Sequence, residues 1–428
     1  MRLFKGKNPG QGSPLDRFCD RTVYVVGSGP AGLMAAIHAA ATGMKATVLE
    51  ANPIAGRKLL LTGGGRCNLT HLGSPAEILE AFGPKGRFLR HCIHGFPPAR
   101  VIELFEGLGL QVRAERDGCA FPGSGRAVRV RDALLGEARH RGVTILYGRR
   151  VEEVLRKPGL GFLIKTAHEV IQASRVILAT GGLSYPQTGS TGHGLQIAQS
   201  LGHTIVQPRP ALVPLVTAET WPGHLAGVSI GSATVTAKLA GRRICQTGAL
   251  LFTRDGIGGP VVLNLSRDLT ELLPNAADPV KISIDLLPAH PEDGLERQVL
   301  RWAQVHPRKA LAGQVADLVP RRLAEVLTRQ AGCPGDLRIS HLSKENRRDL
   351  VRTLKALELH IVATRPMAEA TITRGGVPTD QIDPKTMQSR LCLGLFFAGE
   401  LIDVDGPCGG YNLQVCWSTG ALAGISAG

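Results

Sequence analysis

Two short apolar runs, Val23-Tyr24-Val25-Val26 and Ala46-Thr47-Val48-Leu49, flank an alanine-rich stretch from Leu33 to Thr42. Runs of four or five apolar residues without alternation mark strands buried on both faces, and the stretch between them reads as the crossover helix. The same texture continues. Val101, Leu104, Phe105 and Leu108 trace one helical face within Phe96–Arg113, which leads into a short strand. Arg126–Arg141 predicts a further helix and Val143–Tyr147 a further strand, while Val151–Leu155 and Phe162–Lys165 alternate like a small antiparallel hairpin layer. Arg175–Thr180 predicts a buried strand, and its ending in Gly181-Gly182 suits close backbone approach to a ligand.

After about residue 204 the pattern changes. Val228–Leu239, Ile244–Phe252 and Val280–Leu287 alternate between Gly and Pro breaks and predict a β-barrel or sandwich. Residues 291–358 are helical in pattern, and β-pattern resumes from His360 to Thr373. Leu395–Glu400 is a buried strand opening into a glycine-rich turn and a small-residue helix, Leu413–Gly424. The expected fold class is therefore α/β: a Rossmann-like domain made from both chain ends, with an inserted β-barrel and a small helical domain. The expected divisions are a flexible tail over 1–21, the first part of the nucleotide domain over 22–204, the barrel over 205–290 and 359–373, the helical domain over 291–358, and the closing part over 374–428.

The first turn carries the chemistry. In Gly27-Ser28-Gly29-Pro30-Ala31-Gly32, Gly27 permits the tight turn, Gly29 lets backbone approach a pyrophosphate and Gly32 allows the helix to pack closely. The helix's positive end faces the phosphates. Glu50 follows Gly32 by 18 residues, near the ~20 expected of a carboxylate that holds ribose hydroxyls.

At 428 residues the chain needs two or three cores. No apolar run reaches the ~18–20 residues of a membrane span, and the basic first 20 residues lack the apolar core of a secretory signal. Nine cysteines stand singly, with no CxxC and no metal-ligand spacing, which points to a reduced, cytoplasmic protein without a metal. The net charge of +15 raises an anionic substrate, RNA or acidic lipid as partners. The arginines are dispersed, however, and only 4% of residues are aromatic, so no stacking platform for nucleic acid is evident. A small molecule is the expected partner, and the pattern assigns no oligomeric state.

Three further segments narrow the reading: Gly56-Arg57-Lys58-Leu59-Leu60-Leu61-Thr62-Gly63-Gly64-Gly65-Arg66-Cys67-Asn68, Ala179-Thr180-Gly181-Gly182-Leu183-Ser184-Tyr185-Pro186, and Phe397-Ala398-Gly399-Glu400-Leu401-Ile402-Asp403 leading into Gly409-Gly410-Tyr411-Asn412-Leu413. Leu251–Pro260 and Thr373-Arg374-Gly375-Gly376-Val377 add to them. Together they resemble the YhiN/BaiN flavoprotein family, also called the aminoacetone-oxidase-family FAD-binding enzymes. The resemblance implies FAD, with NAD(P)H as a transient co-substrate. It implies cofactor contacts from Gly27 to Gly32, Glu50, Ala51, Arg57, Lys58, Gly64, Gly65, Arg66, Cys67 and Asn68. It also implies contacts from Val151 (through its main chain, to adenine), Thr180, Gly181, Gly182, Gly399, Glu400, Asp403, Gly410, Tyr411, Asn412 and Leu413.

Hydride transfer occurs on the flavin itself, so the protein needs to supply position, a proton and water exclusion. His71, Tyr185, Arg209, Arg254 and Arg374 are candidate proton donors or anion binders, and the pattern singles out none of them as the catalytic group. Cys67 and Cys408 are candidates for a redox thiol, although the paired CxxxxC of disulfide reductases is missing. Pro407-Cys408 and Cys416 depart from the family pattern. The expected function is FAD-dependent oxidation or reduction of a small substrate. Oxygen-linked amine or aminoketone oxidation is the alternative, and a tRNA-modifying flavoprotein is an alternative of another class.

Overall fold

The computed structural model describes residues 21–428 except 116, 240 and 274–277. The tail expected over 1–20 lies outside the described residues. The chain divides into two compact units, one of residues 21–209 with 372–428 and one of 210–371.

In chain order the first unit contains β1 (Thr22–Val26), α1 (Pro30–Ala41), β2 (Lys45–Glu50), β3 (Thr70–His71), α2 (Pro75–Glu80), α3 (Gly86–Gly95), α4 (Pro98–Gly107), β4 (Val112–Ala114), β5 (Cys119–Pro122), α5 (Ala127–His140) and β6 (Thr144–Tyr147). There follow β7 (Val151–Lys157), β8 (Gly161–Thr166), β9 (Val170–Ala173), β10 (Arg175–Leu178), α6 (His193–Ser200) and β11 (Val206–Ala211). The second unit holds β12 (Leu215–Thr217), β13 (Ser229–Leu239), β14 (Arg242–Thr253), β15 (Gly256–Gly258), α7 (Pro260–Leu272), β16 (Val280–Asp285), α8 (Glu292–Val305), α9 (Leu311–Val315), α10 (Arg321–Gln330), α11 (Lys344–Lys355) and β17 (Leu357–Thr364). The chain then closes the first unit with β18 (Ile372–Gly376), β19 (Leu395–Phe397) and α12 (Tyr411–Ala427).

The central sheet has the order β19-β10-β1-β2-β6. All its pairings are parallel, with Val25 opposite Ile177 and Val48, and Leu178 opposite Phe397. The uninterrupted apolar runs follow from burial on both faces. Helix α1 begins at Pro30, whose missing amide hydrogen costs nothing at a first helical position. It is buried almost all round, because α12 packs along it through small residues. A Cβ on Gly420 would stand 2.4 Å from Ala31 O, and one on Gly424 would stand 2.2 Å from Ala35 O.

The second unit resolves the choice between barrel and sandwich. Its six strands close in the order β12-β15-β14-β13-β16-β17. Phe252, Ile282, Ile284 and Leu359 form its interior, continuous with Leu295, Trp302, Leu323 and Leu350 from the helices. Helix α7, absent from the strand pattern, packs against β14. Between Asn52 and Leu72 the chain forms a 3-10 segment, Lys58–Gly65, and then β3, because Leu69 and Leu72 donate backbone hydrogen bonds to Ala120 and Gly118. Strand β5 supplies those partners from fifty residues away, and no local pattern could reveal them.

Candidate functional site

Loops from four strands of the parallel sheet gather at its carboxyl edge, where open α/β sheets bind their ligands. At the end of β1, Gly27 has φ +99° and donates to Leu49 O at 2.9 Å. A Cβ there would meet Ala179 O at 2.7 Å, and one on Gly32 would lie 1.9 Å from Gly27 O. On Gly29, by contrast, a Cβ would meet nothing within 4 Å. Gly27 and Gly32 therefore shape the turn, and Gly29 leaves an open approach to its backbone.

Glu50 closes β2 and is buried. One carboxylate oxygen accepts from Ser28 N (2.8 Å) and Ser28 Oγ (2.5 Å), the other from Asn52 N (2.7 Å) and Asn52 Nδ2 (2.8 Å). The residue read as a ribose ligand thus braces the phosphate-binding turn. Ala51 follows it at the surface, and Arg57 donates to Asn52 Oδ1 at 2.8 Å.

A polar hub joins three of the sequence motifs. Lys58 Nζ donates to Glu400 Oε2 (2.5 Å) and Ser184 Oγ (2.6 Å). Glu400 Oε1 accepts from Ser184 Oγ (3.0 Å) and Thr373 N (2.7 Å). Thr373 Oγ1 in turn accepts from Leu183 N and Ser184 N. Gly182 is required beneath it, since a Cβ would strike Thr373 Oγ1 at 2.3 Å. Gly181 and Gly399 both adopt positive φ. Beside them Thr180 Oγ1 is buried without a hydrogen-bond partner.

The three glycines 63–65 all take positive φ, and nothing lies within 4 Å of a Cβ on Gly64. Such successive left-handed residues present their amides outward and can cradle an anion or a ring edge. Arg66 pairs with Glu115 at 2.7 Å and lies 4.1 Å over the Phe121 ring. Cys67 is fully buried, and burial pushes its thiol up to about 12. Asn68, with its amide oriented to satisfy both ends, donates to Thr70 O and Ala120 O and accepts from Gly410 N at 3.2 Å. It therefore seats Gly410 at the start of α12.

The rest of that start is braced in the same way. Asn412 accepts from Gly406 N (2.8 Å) and donates to Gly406 O (3.0 Å). His71 Nδ1 donates to Gly409 O at 3.1 Å, and its ring stacks on Tyr411 with centroids 4.5 Å apart. Burial raises the Tyr411 hydroxyl above its ordinary range. Asp403 pairs with Lys85 at 2.6 Å, and Leu413 is half-buried. Helix α12, 17 residues long, points its positive end into this region.

Val151 O accepts from His193 Nε2 at 2.9 Å. Tyr185 sits in a left-handed turn, Arg374 faces Asp405 at 3.7 Å, and Arg254 belongs to the second unit on the turn between β14 and β15. Lys85 and Asn52 escaped the sequence reading, and Ser184 and Thr373 stood in it only as members of quoted motifs. Lys85, Ser184 and Thr373 reach their partners across long sequence separations.

The residues fit FAD. The carboxyl edge offers an open glycine turn, a second left-handed glycine cradle, an orphaned threonine hydroxyl and a helix N-terminus. Comparison with known proteins agrees on the class. Residues 21–426 match the HI0933-like protein Rossmann domain family. The chain is 34% identical over 409 residues to a 3-dehydro-bile acid delta(4,6)-reductase of Clostridium scindens, covering 95% of this chain and 98% of that one. It is 33% identical over 409 residues to a ribosomal RNA dihydrouridine synthase of Haemophilus influenzae, covering 94% and 97%. In fold it is similar to the 3-ketosteroid delta1-dehydrogenase of Sterolibacterium denitrificans, with a TM-score of 0.52 and 13% identity over 94% of this chain and 99% of that one. The fold and site define an FAD-dependent oxidoreductase. The chain belongs to the HI0933-like family of FAD-binding Rossmann proteins.

Proposed function

We propose that this protein is an FAD-dependent reductase of carbon–carbon double bonds conjugated to a carbonyl, drawing its electrons from NAD(P)H. The single observation that carries the proposal is the gathering of three motif loops around the Lys58–Glu400–Ser184 hub at one sheet edge. The reaction class is supported by the two relatives' names. A 3-dehydro-bile acid delta(4,6)-reductase reduces double bonds conjugated to a 3-oxo group, and a dihydrouridine synthase reduces the uracil double bond conjugated to its 4-carbonyl. FAD, when bound, supplies hydride at N5.

The chain's own residues do the rest. The open backbone at Gly29 and the Gly63–Gly65 amides bind and orient the cofactor. The positive end of α12 stabilises negative charge that develops near Gly410. His71, its Nδ1 donating to Gly409 O and its ring stacked on Tyr411, is the group we assign to deliver a proton to the substrate carbon next to the carbonyl. A reduced compartment, the cytoplasm, suits eight described cysteines that are all thiols.

The test is anaerobic. The purified protein should show flavin absorbance, bleach with NADPH or NADH, and recover colour when a conjugated enone is added. Bleaching by an amine or aminoketone, with recovery only in oxygen, overturns the proposal in favour of an oxidase.

A second reading has one observation in its favour, the net charge of +15. On this reading the conjugated carbonyl is that of a uracil base within RNA. Conversion of uridine to dihydrouridine in RNA incubated with the reduced protein tests it.

A further inference from the structure

Helix α3 lies between the candidate site and the opposite end of the first unit. Its start is tied to the site by Lys85, one residue ahead, which pairs with Asp403 at 2.6 Å, and by Phe82, whose ring meets Tyr411 edge-on at 6.3 Å. Its far end runs into Phe96, whose ring meets His38 at 5.5 Å near the end of α1. Arg141, from the end of α5, and Arg100, from the start of α4, act on His38 from there, each paired with an acid of its own helix, Glu137 at 2.7 Å and Glu103 at 3.0 Å.

Between those ends α3 is two-faced. Phe88, Leu89, Cys92 and Ile93 are buried, while Arg87, Arg90, His91 and His94 are exposed at helical spacing. Arg87 and Arg90 have no carboxylate partner among the described residues, and neither does Arg139 in the last turn of α5. Helix α3 carries no acidic side chain. His94 donates from Nδ1 to Arg90 O at 2.8 Å, which leaves Nε2 on the outer face. Ten residues span about 15 Å. Two guanidiniums three residues apart thus share this face with no carboxylate against either of them among the described residues.

We propose that the outer face of α3 is a docking track for the phosphate backbone of an RNA strand, leading from the Arg100–Arg141 end toward the candidate site. This rests on the second reading above. The chemistry fits: Arg87 and Arg90 offer planar, fully charged donors that suit phosphate oxygens, and contacts of this kind position a nucleic acid without reading its bases. Two guanidiniums one helical turn apart on one exposed face suit successive phosphates of a strand.

Binding separates this from turnover. Fluorescence anisotropy of a labelled 20-nucleotide single-stranded RNA would be measured at several salt concentrations. The full protein would be compared with an Arg87→Gln/Arg90→Gln variant and an Arg297→Gln/Arg321→Gln control in exposed arginines of the second unit. The expected result is about tenfold weaker binding for R87Q/R90Q and a log–log salt slope shallower by about 1.4 units, from ~0.7 per lost phosphate contact, with the control unchanged. Reoxidation of the reduced protein by a free enone should be the same in all three. Equal losses in both variants, no loss in R87Q/R90Q, or binding to phosphatidylglycerol vesicles but not to RNA would each overturn the track. RNA that binds through α3 yet yields no dihydrouridine leaves the track standing and defeats the second reading alone.

Discussion

Lys58 Nζ lies 2.5 Å from Glu400 Oε2, joining residues 342 positions apart, and the two side chains are only 19% and 17% exposed. The same ammonium reaches Ser184, so the loops after β10 and β19 are held to the glycine-rich segment by one cation. A pair so far withdrawn from water is costly to break, because the survivor keeps its charge without a partner.

Replacing Lys58 with Met should therefore destabilise the protein by about 3 kcal/mol and weaken FAD binding together. The double variant K58M/E400Q, which removes the stranded charge, should recover much of the stability. Thermal denaturation and flavin-release fluorescence measure both. A K58M protein as stable as wild type would show that the pair carries no weight.

Gly29→Ala and Gly32→Ala should part company. The first adds a methyl into open space, so the fold should melt normally, and loss of FAD absorbance would report a blocked approach to the backbone. The second forces Gly32 and the Gly27 carbonyl apart from 1.9 Å, so both fold and cofactor content should fall. Equal behaviour of the two variants contradicts these roles.

Asn68→Ala should weaken FAD binding about tenfold with only a modest loss of stability, on the order of 1–2 kcal/mol for an unmade buried hydrogen bond. Its amide holds Gly410 N, Thr70 O and Ala120 O in place. Asn68→Asp keeps the acceptor for Gly410 but turns a second oxygen toward two carbonyls, so it should be worse than Ala. Titration with flavin checks the order.

The buried thiols give a pH prediction. Burial pushes Cys67, Cys92 and Cys416 up to about 12, from an ordinary value near 9. A raised acid favours the folded state while its proton is kept in both states, so this contribution is complete below pH 9 and is lost as pH rises toward 12. The melting temperature should be insensitive to these groups from pH 6 to 8 and fall steeply above pH 9. Under native conditions Cys245, which is exposed, should react first with a thiol reagent, and Cys67 only after unfolding. Rapid native labelling of Cys67 would revive it as a redox thiol.

Much of the fold was legible because the two kinds of strand leave different signatures. The β1 and β10 runs are uninterrupted because helices cover both faces of their sheet, and the barrel strands alternate because one face is solvated. The site was legible in part. Glycines at 27 and 32 announce the turn because a Cβ at either would strike backbone, and Gly29 leaves its backbone open to a ligand. Roles were less so. That the polar atoms of Glu50 and Asn412 brace Ser28 and Gly406 is a matter of which way a side chain turns, and spacing does not carry it.

By itself the sequence determined the parallel sheet, the glycine turn and the family, since burial period and steric exclusion act over a few residues and leave a local trace. Only the tertiary structure decided that Lys58 meets Glu400, that Asn68 seats Gly410, and that Arg87 and Arg90 share the exposed face of α3 with no carboxylate partner among the described residues. Contacts across tens to hundreds of residues depend on how helices and sheets pack, and charge becomes a surface only once the chain has chosen which side of each helix to bury.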